Sequence, residues 1–511
     1  MQWLEQIADG LERLHPSGTI LVSSGVSPSG KYHIGTLREV LTADAVFIIL
    51  RKRGRNAHHV HFVDDLDGLR KVPAGVPEEF SQYLGKPVCD VPSPEPGADS
   101  YANYYLSDFI NNVDVLGIDM EVVRSHEKYR SGYFVPSIEK ALTNITQTRT
   151  VLEDVSGRKL GEEWSPIQVN EAGYLKKRPF VSLDKEAKQI TYKDVNGQEQ
   201  TIAYDKGDVK LDWRLDWPAR WWQLTVNVEP FGRDHATKGG SYDTGASLVK
   251  DVFGGEAPLP VPYQFINRSG ETKKMSKSAG NTVTISELLE VLPPEIVRYF
   301  VLRFAPSKQL FFDETDGVIR LIDEYAELLA KADKTPEDEL LLYICTSTIK
   351  GGNTVSNVPF SHLVASYQAA LRDKAKTLDI IRRTEHADTV DNQEDIITKE
   401  LDFIDAWLDK WAPEDVTFSL RDSLDGLELT DQQKAYLSQL ADKIKEAPVD
   451  ADGEWFHKAI YDFKDSSGLV PKELFATLYQ ATIGKQSGPR AGWFLSILPR
   501  DWLVKRLKLE A

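Results

Sequence analysis

Near the start of the chain, the order of apolar and polar residues predicts a strand, a loop and a helix. Residues 18–22 form a short apolar, β-branched run that is typical of a buried strand. A Gly-, Ser- and Pro-rich stretch over 24–36 follows, and residues 37–46 then carry apolar side chains at helical spacing. In α/β folds such a loop lies at the carboxyl end of a strand, where small residues and a helix N-terminus accept phosphate groups. His33 begins the predicted helical turn, so it can donate a hydrogen bond to a phosphate oxygen.

Farther along the chain, the same pattern predicts two α/β segments separated by an insertion. Helices are predicted over 1–16, 101–116 and 134–152, and strands over 57–63 and 261–266. Between 155 and 210 the pattern changes to short strands and turns, which indicates a small β-rich insertion. From about residue 283 onward, long amphipathic segments predict a mostly helical region.

Three histidines and three aspartates lie within residues 58–67, which raises the question of a metal site. Strand alternation sends His58 and His59 to opposite faces, and the acidic run does not match the calcium-loop pattern. The aspartates follow a strand at its carboxyl end and face the same crevice as the loop at 24–36. A cluster of carboxylates at that place suits a cationic group of a substrate.

Composition restricts the class of protein. The 511 residues are 41% hydrophobic and 27% charged, which is typical of a globular protein of about three domains. No apolar run is long enough to span a membrane, and residues 1–6 lack the pattern of a secretory signal. Cys89 and Cys345 alone form neither a disulfide framework nor a cysteine zinc site. We therefore expect a cytoplasmic protein without membrane contact.

The net charge of −17 argues against a nucleic-acid partner, because phosphate neutralisation dominates such binding. The distribution of charge matters more than its sum. Residues 481–511 are locally basic. RNA binding at the C-terminal end therefore remains compatible with an acidic chain.

The polar stretch 273–281 contains three lysines, a pattern that by itself indicates only solvated surface. Together with His33-Ile34-Gly35-Thr36, it resembles the paired signatures of class I aminoacyl-tRNA synthetases. Residues 33–36 are similar to the HIGH motif, with Thr36 in place of its last histidine. Residues 274–278 match the KMSKS motif at every position.

Further stretches are similar to one family of that class, the class I lysyl-tRNA synthetases of archaea and some bacteria. They lie at 24–40, 64–73, 216–221, 239–245 and 488–494, and so span nearly the whole chain. The resemblance implies an α/β Rossmann-type catalytic domain with a small β-rich insertion, followed by an all-α C-terminal anticodon-binding region.

On this resemblance the chain divides into five segments. The Rossmann-type catalytic domain comprises a first half at 1–154 and a second half with the KMSKS loop at 211–282. The β-rich insertion, or connective peptide, occupies 155–210, and it contains no cysteine although many family members carry a zinc ribbon there. We therefore expect no structural zinc. A helical linker that contacts the tRNA stem spans 283–330, and the α-helical anticodon-binding region spans 331–511.

The resemblance also implies the reaction and its substrates. Lysine attacks the α-phosphorus of ATP, bound with Mg²⁺, to give lysyl-adenylate and pyrophosphate, and the 3′ end of tRNA(Lys) then takes the lysyl group. The implied catalytic residues are His33 and Lys277. The implied ATP-binding residues are Pro28, His33, Gly35, Thr36, Lys274, Met275, Ser276, Lys277 and Ser278. The implied lysine-binding residues are Gly25, Ser27, Asp65, Trp213, His235 and Tyr263, with Trp217 the alternative to Trp213.

Other functions are compatible with parts of the pattern. In glutamyl-tRNA synthetases an arginine reads the acidic substrate, and alignment on Gly232 places Phe231 at that position, which favours a cationic substrate. A nucleotidyltransferase would not need the helical region after residue 283. A non-catalytic tRNA-binding paralogue would not need both intact signatures. The oligomeric state is open, with a monomer favoured.

Overall fold

The structure, a computed structural model, describes residues 1–161, 164–270, 282–414, 416–448, 451–488 and 490–510. The chain forms two compact units. The first unit comprises Met1–Leu289, Val297–Phe312 and Thr335–Gly352, and the second comprises Glu290–Ile296, Asp313–Lys334 and Asn353–Ala511. The sequence-based segment boundaries remain predictions.

The strands all lie before residue 313 in the described part of the chain. They are β1 (Ile20–Val26), β2 (Ala57–Val63), β3 (Glu121–Arg124), β4 (Ile167–Glu171), β5 (Tyr174–Lys177), β6 (Phe180–Asp184), β7 (Gln189–Lys193), β8 (Glu199–Ala203), β9 (Val209–Leu211), β10 (Val228–Gly232), β11 (Leu259–Tyr263), β12 (Ile266–Arg268) and β13 (Leu310–Phe312).

The helices alternate with these strands as far as β13, and only helices follow in the described part of the chain. They are α1 (Gln2–Leu14), α2 (Ile34–Lys52), α3 (Tyr101–Val115), α4 (Ser125–Arg130), α5 (Val135–Thr143), α6 (Ile145–Ser156), α7 (Trp213–Leu224), α8 (Ser241–Leu248), α9 (Ile285–Val291), α10 (Pro294–Leu302), α11 (Asp316–Ala330), α12 (Pro336–Thr346), α13 (Phe360–Ala369), α14 (Lys374–Ile381), α15 (Ala387–Lys410), α16 (Asp431–Lys445), α17 (Gly453–Tyr461), α18 (Pro471–Ile483), α19 (Ala491–Ile497) and α20 (Arg500–Leu507). No helix among the described residues is both long and apolar enough to cross a membrane.

A five-stranded parallel sheet organises the first unit. Its strand order is β11-β10-β1-β2-β3, so the chain leaves β1 in one direction for β2 and β3 and later returns on the other side for β10 and β11. Such a reversal leaves a crevice between the carboxyl ends of β1 and β10, where α/β proteins bind ligands. This sheet, the small antiparallel insertion and the helical C-terminal region confirm the predicted fold class.

The insertion consists of two small antiparallel sheets, β5-β4-β9 and β6-β7-β8. Ile167, Val169, Ile190 and Leu211 belong to a buried cluster that continues into the parallel-sheet domain. Apolar packing therefore stabilises the insertion.

Two segments differ from the pattern-based prediction. The helix predicted over 134–152 is divided at Asn144, whose backbone leaves the helical region (φ −103°, ψ 29°) while its side-chain amide donates to Lys140 O, so α5 ends and α6 begins there. The strand predicted over 261–266 is likewise divided, because Gln264 N donates to Pro306 O and the chain enters a second sheet. Both breaks depend on hydrogen bonds that apolar periodicity does not encode.

Arg38, on the first turns of α2, connects the parallel-sheet domain to the segment after α10. Its buried guanidinium donates to the backbone oxygens of Val301, Ala305, Pro306 and Lys308. Burial lowers the pKa of Arg38 to about 10, so the side chain still carries its charge at neutral pH. One carbonyl in the last turn of α10 and three in the segment after it thus receive donors from one side chain.

Arg38→Met is expected to destabilise the first unit by about 3 kcal/mol, because it removes the donor from several buried carbonyls. The first thermal transition, followed by tryptophan fluorescence, would then shift down by roughly 6 °C. Arg13→Met, at an exposed position of α1, is the matched control and is expected to leave that transition in place. A shift of equal size in both variants would show that Arg38 does not hold this segment.

Candidate active site

The loop between β1 and α2 approaches its neighbours too closely for larger residues. A Cβ atom on Gly25 would lie 2.9 Å from the carbonyl oxygen of Phe62 on the adjacent strand. The hydroxyl of Tyr101 donates to Ser29 O at 3.0 Å, which fixes the middle of the loop. The small residues predicted to form a phosphate-accepting loop are therefore required by packing as well.

His33 is the N-cap residue of α2, as the sequence predicts. Its Nδ1 accepts a hydrogen bond from Gly35 N at 3.0 Å. An accepting Nδ1 places the proton of the neutral ring on Nε2, which makes Nε2 the donor atom of the ring. A Cβ atom on Gly35 would lie 2.7 Å from Cε1 of the same ring, so glycine is needed to keep the imidazole in place.

The residues predicted from the KMSKS motif, Lys274, Met275, Ser276, Lys277 and Ser278, lie outside the described residues. The segment that follows them returns to the helix start. Ile34 N donates to Val283 O at 3.0 Å, and His33 forms an isolated β-bridge with Thr284. The chain that leaves the lysine-rich stretch is therefore hydrogen-bonded next to His33.

A cavity of about 400 Å³ lies at the carboxyl ends of β1, β10 and β11. It contains five of the six residues predicted to bind lysine: Gly25, Ser27, Trp213, His235 and Tyr263. Its other lining residues are Glu39, Asp64, Asp67, Arg70, Trp217, Arg220, Glu229, Pro230, Phe231, Gly232, Asp234 and Phe265. The cavity therefore occupies the crevice that the strand order creates.

Aromatic rings form one wall of this cavity. The ring of His235 lies 6.1 Å from Trp213 and 5.4 Å from Trp217, both in edge-on geometry. Phe231, at the position where an arginine would read an acidic substrate, packs edge-on against Trp217 at 5.5 Å. Both tryptophans line the cavity, so the alternatives of the sequence analysis share one wall. Such a wall suits an aliphatic stem or an ammonium group.

Glu39 is a half-buried carboxylate in the cavity that sequence analysis did not identify. It accepts hydrogen bonds from Gly25 N at 2.7 Å and from the Tyr263 hydroxyl at 2.8 Å. Burial raises the pKa of Glu39 to about 8, although both hydrogen bonds act in the opposite direction. The carboxyl group is thus protonated at neutral pH when the cavity is empty, and a bound cation would favour its ionised form.

Glu229, on β10, is a second acid in the cavity. It accepts from the indole N–H of Trp217 at 3.1 Å, from that of Trp221, and from the Ser23 hydroxyl at 3.3 Å. Burial raises the pKa of Glu229 as well. Neither Glu39 nor Glu229 forms an ion pair within the described ranges, although the charge of Arg220 partly offsets the effect of burial on Glu229.

Most of the other charges near the cavity are paired. Arg220 forms ion pairs with Asp64 and Asp216, and the fully buried Lys210 pairs with Asp216 at 3.1 Å and Asp67 at 3.0 Å. Arg70 also pairs with Asp67, at 3.1 Å. Burial alone would raise the pKa of Asp216, but Arg220 and Lys210 outweigh it and lower the pKa. This network of three cations and three carboxylates connects β9 of the insertion to the cavity.

Asp65, the sixth residue predicted to bind lysine, is not among the described residues that line the cavity. It is fully buried, and its carboxylate accepts from Arg124 Nε at 2.5 Å, from His126 N at 2.9 Å and from the His126 ring at 2.7 Å. Those partners outweigh burial and lower its pKa. Asp65 therefore fixes the end of β3, and its neighbours Asp64 and Asp67 reach the cavity.

Two signals could have identified the missed acids. Glu39 lies one helical turn after Gly35, on the helix that starts at the signature loop, and Glu229 interrupts an otherwise apolar strand. An acid inside a buried strand indicates a function, because burying a carboxylate without hydrogen-bonding or charged partners costs free energy. Across the described residues, no group of three or more His, Cys, Asp or Glu side chains is arranged to hold a metal ion.

Comparison with known proteins gives a consistent result. The family model described as "tRNA synthetases class I (K)" matches residues 1–345, and the model described as "Anticodon binding domain" matches residues 412–510. A "Lysine--tRNA ligase 1" of Methanosarcina acetivorans is 37% identical over 99% of this chain and 98% of its own length. A "Lysine--tRNA ligase" of Archaeoglobus fulgidus is 34% identical over 99% of each chain.

A solved glutamate tRNA ligase from Elizabethkingia meningosepticum covers 96% of this chain and 98% of its own, at 12% identity and a TM-score of 0.48. That likeness is too slight to bear on the substrate. The matched family model and the full-length relatives, together with the crevice described above, assign the family. The chain belongs to the class I (K) tRNA synthetases.

Proposed function

We propose that this protein is an ATP-dependent lysine–tRNA ligase. The observation that carries the proposal is the pair of carboxyl groups, Glu39 and Glu229, that line an aromatic cavity and form no ion pair within the described residues. L-Lysine has cationic amino groups and an aliphatic stem. The carboxyl groups of the cavity can balance the positive charge, and its aromatic wall can enclose the stem. The relatives that share the whole length of the chain bear the corresponding name.

In the first step the lysine carboxylate attacks the α-phosphorus of ATP, and pyrophosphate leaves. In the second step a ribose hydroxyl at the 3′ end of tRNA(Lys) attacks the activated carbonyl, and AMP leaves. Charge accumulates on phosphate oxygens in the first step, so the protein contributes mainly orientation and electrostatic stabilisation. Mg²⁺ enters with ATP as the substrate complex, held by phosphate and water.

On the lysine side, Glu39 takes the place that sequence analysis gave to Asp65. The Tyr263 hydroxyl and Gly25 N–H orient the Glu39 carboxylate, and the lysine ammonium supplies its missing counter-charge. Trp213 and His235 enclose the aliphatic stem. Ser27 and the backbone of Gly25 lie at the mouth of β1, within the same cavity, and face the α-amino and carboxylate end.

On the ATP side, Pro28, Gly35 and Thr36 form the backbone against which the triphosphate lies, and His33 donates from Nε2. By the motif match, Lys277 supplies a cation to the departing pyrophosphate, and Lys274, Met275, Ser276 and Ser278 contribute to ATP binding. These roles rest on the motif match, because residues 274–278 lie outside the described part of the chain. We further propose that the protein acts as a monomer on cytoplasmic tRNA.

Glutamate, the substrate of the glutamyl alternative, fits the same cavity less well than lysine does. An acidic side chain would meet Glu39 and Glu229, and Phe231 offers no charge to pair with it. The non-catalytic alternative would not need both signatures, residues 33–36 and 274–278, and the chain retains both. Lysine therefore fits the site better than glutamate does.

Lysine binding is expected to tighten as pH rises toward about 8 and to level off above it. Glu39 holds a proton below its pKa of about 8, and a bound ammonium favours the ionised form, so binding releases a proton. Each pH unit below 8 therefore weakens binding by up to roughly tenfold. Titration calorimetry from about pH 6 to about pH 9, in buffers of different ionisation enthalpy, measures both quantities. A constant affinity without proton release, or tighter binding of glutamate than of lysine, would contradict the proposal.

A further inference from the structure

Arg70 lies on a turn after β2, and hydrogen bonds anchor the backbone of this turn. Leu69 N donates to Lys86 O, and Leu69 O accepts from Gly85 N, each at 2.8 Å. A Cβ atom on Gly68 would lie 2.9 Å from Gly85 O, so the two segments are also in close contact. The backbone that carries Arg70 is therefore fixed before a ligand arrives, and binding has little of it left to order.

The guanidinium of Arg70 lines the cavity and is only weakly engaged. Its side chain is 76% exposed, and within the described ranges its ion pair is with Asp67, at 3.1 Å. Asp67 also pairs with the fully buried Lys210 at 3.0 Å, which holds the aspartate in place. An ion pair at an exposed position contributes little free energy, and a guanidinium has five N–H donors. Arg70 can therefore bind an anion in the cavity while it keeps its contact with Asp67.

Arg220, a second arginine of the cavity lining, is committed to other partners. It pairs with both Asp64 and Asp216, and Asp216 is fully buried. If Arg220 turned toward a ligand, a buried carboxylate would lose one of its cations, which costs free energy. An anionic group of a ligand is therefore expected to meet Arg70 rather than Arg220.

The charges of the cavity are arranged as a lysine molecule requires. Glu39 is half-buried, whereas Arg70 is exposed and so lies at the open side of the cavity. Lysine carries an ammonium group at the end of its side chain and an anionic carboxylate at its other end. Among the described residues, Pro28, His33 and Thr36 of the ATP side do not line this cavity, so Arg70 faces the amino acid rather than the triphosphate.

We propose that the guanidinium of Arg70 binds the α-carboxylate of lysine at the open side of the cavity. The inference rests on the proposed function, since it takes lysine as the substrate. A planar guanidinium donates to both oxygens of a carboxylate, so the pair fixes the orientation of the group that attacks ATP. Diamines that share the lysine side chain lack this carboxylate, and Arg70 therefore gives the cavity a means to reject them.

The test is calorimetric titration of the full chain with L-lysine and with L-lysinamide, in which a neutral amide replaces the carboxylate. Arg70→Met keeps an unbranched stem and is expected to weaken lysine binding roughly tenfold to a hundredfold, while lysinamide binding stays within about threefold of the parent. Arg70→Lys keeps the charge but not the planar fork, and an intermediate loss for lysine is expected. Arg51→Met, at an exposed position in the last turn of α2 and outside the cavity lining, is the matched control and is expected to bind both ligands as the parent does.

The comparison of the two ligands separates a contact with the carboxylate from a structural role. Equal losses for lysine and lysinamide in Arg70→Met would mean that Arg70 acts through the position of Asp67, and the inference would be wrong. Parent-like lysine binding by Arg70→Met, with or without a raised KM for ATP in pyrophosphate exchange, would overturn it as well. If the parent chain binds neither ligand and supports no lysine-dependent exchange, the proposed function fails instead.

Discussion

Glu39→Gln is expected to weaken lysine binding on the order of 10²–10³-fold, equivalent to about 3–4 kcal/mol. Glutamine keeps the size of the side chain and still accepts a hydrogen bond from Gly25 N or the Tyr263 hydroxyl, but it cannot ionise. The lysine ammonium would then lie in the cavity without its counter-charge, and breaking one half of a buried pair costs several kcal/mol. Calorimetric titration with lysine measures the loss directly.

The control for this variant is Glu121→Gln, at the exposed first residue of β3 in the same unit. It makes the same substitution outside the cavity lining and is expected to bind lysine as the parent does. Glu39→Gln should also abolish the rise in affinity with pH. Retention of both the affinity and the pH dependence in Glu39→Gln would assign the ammonium to another acid, and Glu229 is the remaining candidate.

Gly35→Ala is expected to lower the rate of lysine-dependent pyrophosphate exchange by about 10²-fold while lysine affinity stays within threefold. The added methyl group would overlap the imidazole of His33, so the ring must leave the hydrogen bond that holds Nε2 ready to donate. Loss of one preorganised donor to a developing charge typically costs about 10²–10³ in rate. Steady-state exchange with tRNA present throughout, combined with lysine titration, separates the two effects.

Two further variants isolate the cause. Gly10→Ala, in α1, places its methyl group 3.8 Å from the nearest side-chain atom and is expected to be silent, so it controls for the substitution itself. In a His33→Ala background, Gly35→Ala is expected to add no further loss, because the two changes act on one imidazole. Equal, additive losses from His33→Ala and Gly35→Ala would mean that Gly35 serves something other than the ring position.

Local patterns predicted much of the fold around the site. The strand over 57–63 is β2 with the same bounds. A helix, α2, follows the Gly-, Ser- and Pro-rich loop and starts next to His33, as predicted. These elements are encoded by β-branched runs, small residues and helical spacing over short windows. Short-range sequence patterns therefore suffice to predict these elements, and no distant contact needs to be known.

The predictions that failed or fell short depend on residues far apart in sequence. The division of the strand predicted over 261–266 requires Pro306, which is about forty positions away. Asp65 differs from its neighbours Asp64 and Asp67 only through the contacts it makes with Arg124 and His126. A one-residue step at the end of a strand reverses the direction of a side chain, so a cluster of acids predicts a charged crevice but not which acid faces it.

Glu39 illustrates a different limit. The helical spacing of α2 places it one turn after Gly35, but the spacing does not reveal that Tyr263, on another strand, donates to its carboxylate. Burial and the absence of a basic partner, which distinguish Glu39 as a cation site, are properties of the assembled sheet. The motifs thus locate the crevice, and the three-dimensional arrangement decides which side chains select the substrate.

The most direct test of the central claim is ATP–pyrophosphate exchange with a panel of single amino acids, each supplied with Mg²⁺-ATP and tRNA. A lysine–tRNA ligase with Glu39 and Glu229 in its cavity is expected to catalyse exchange with lysine and to give background rates with glutamate, glutamine and arginine. Exchange driven by glutamate or another amino acid more strongly than by lysine, or no exchange with any of them, would contradict the account.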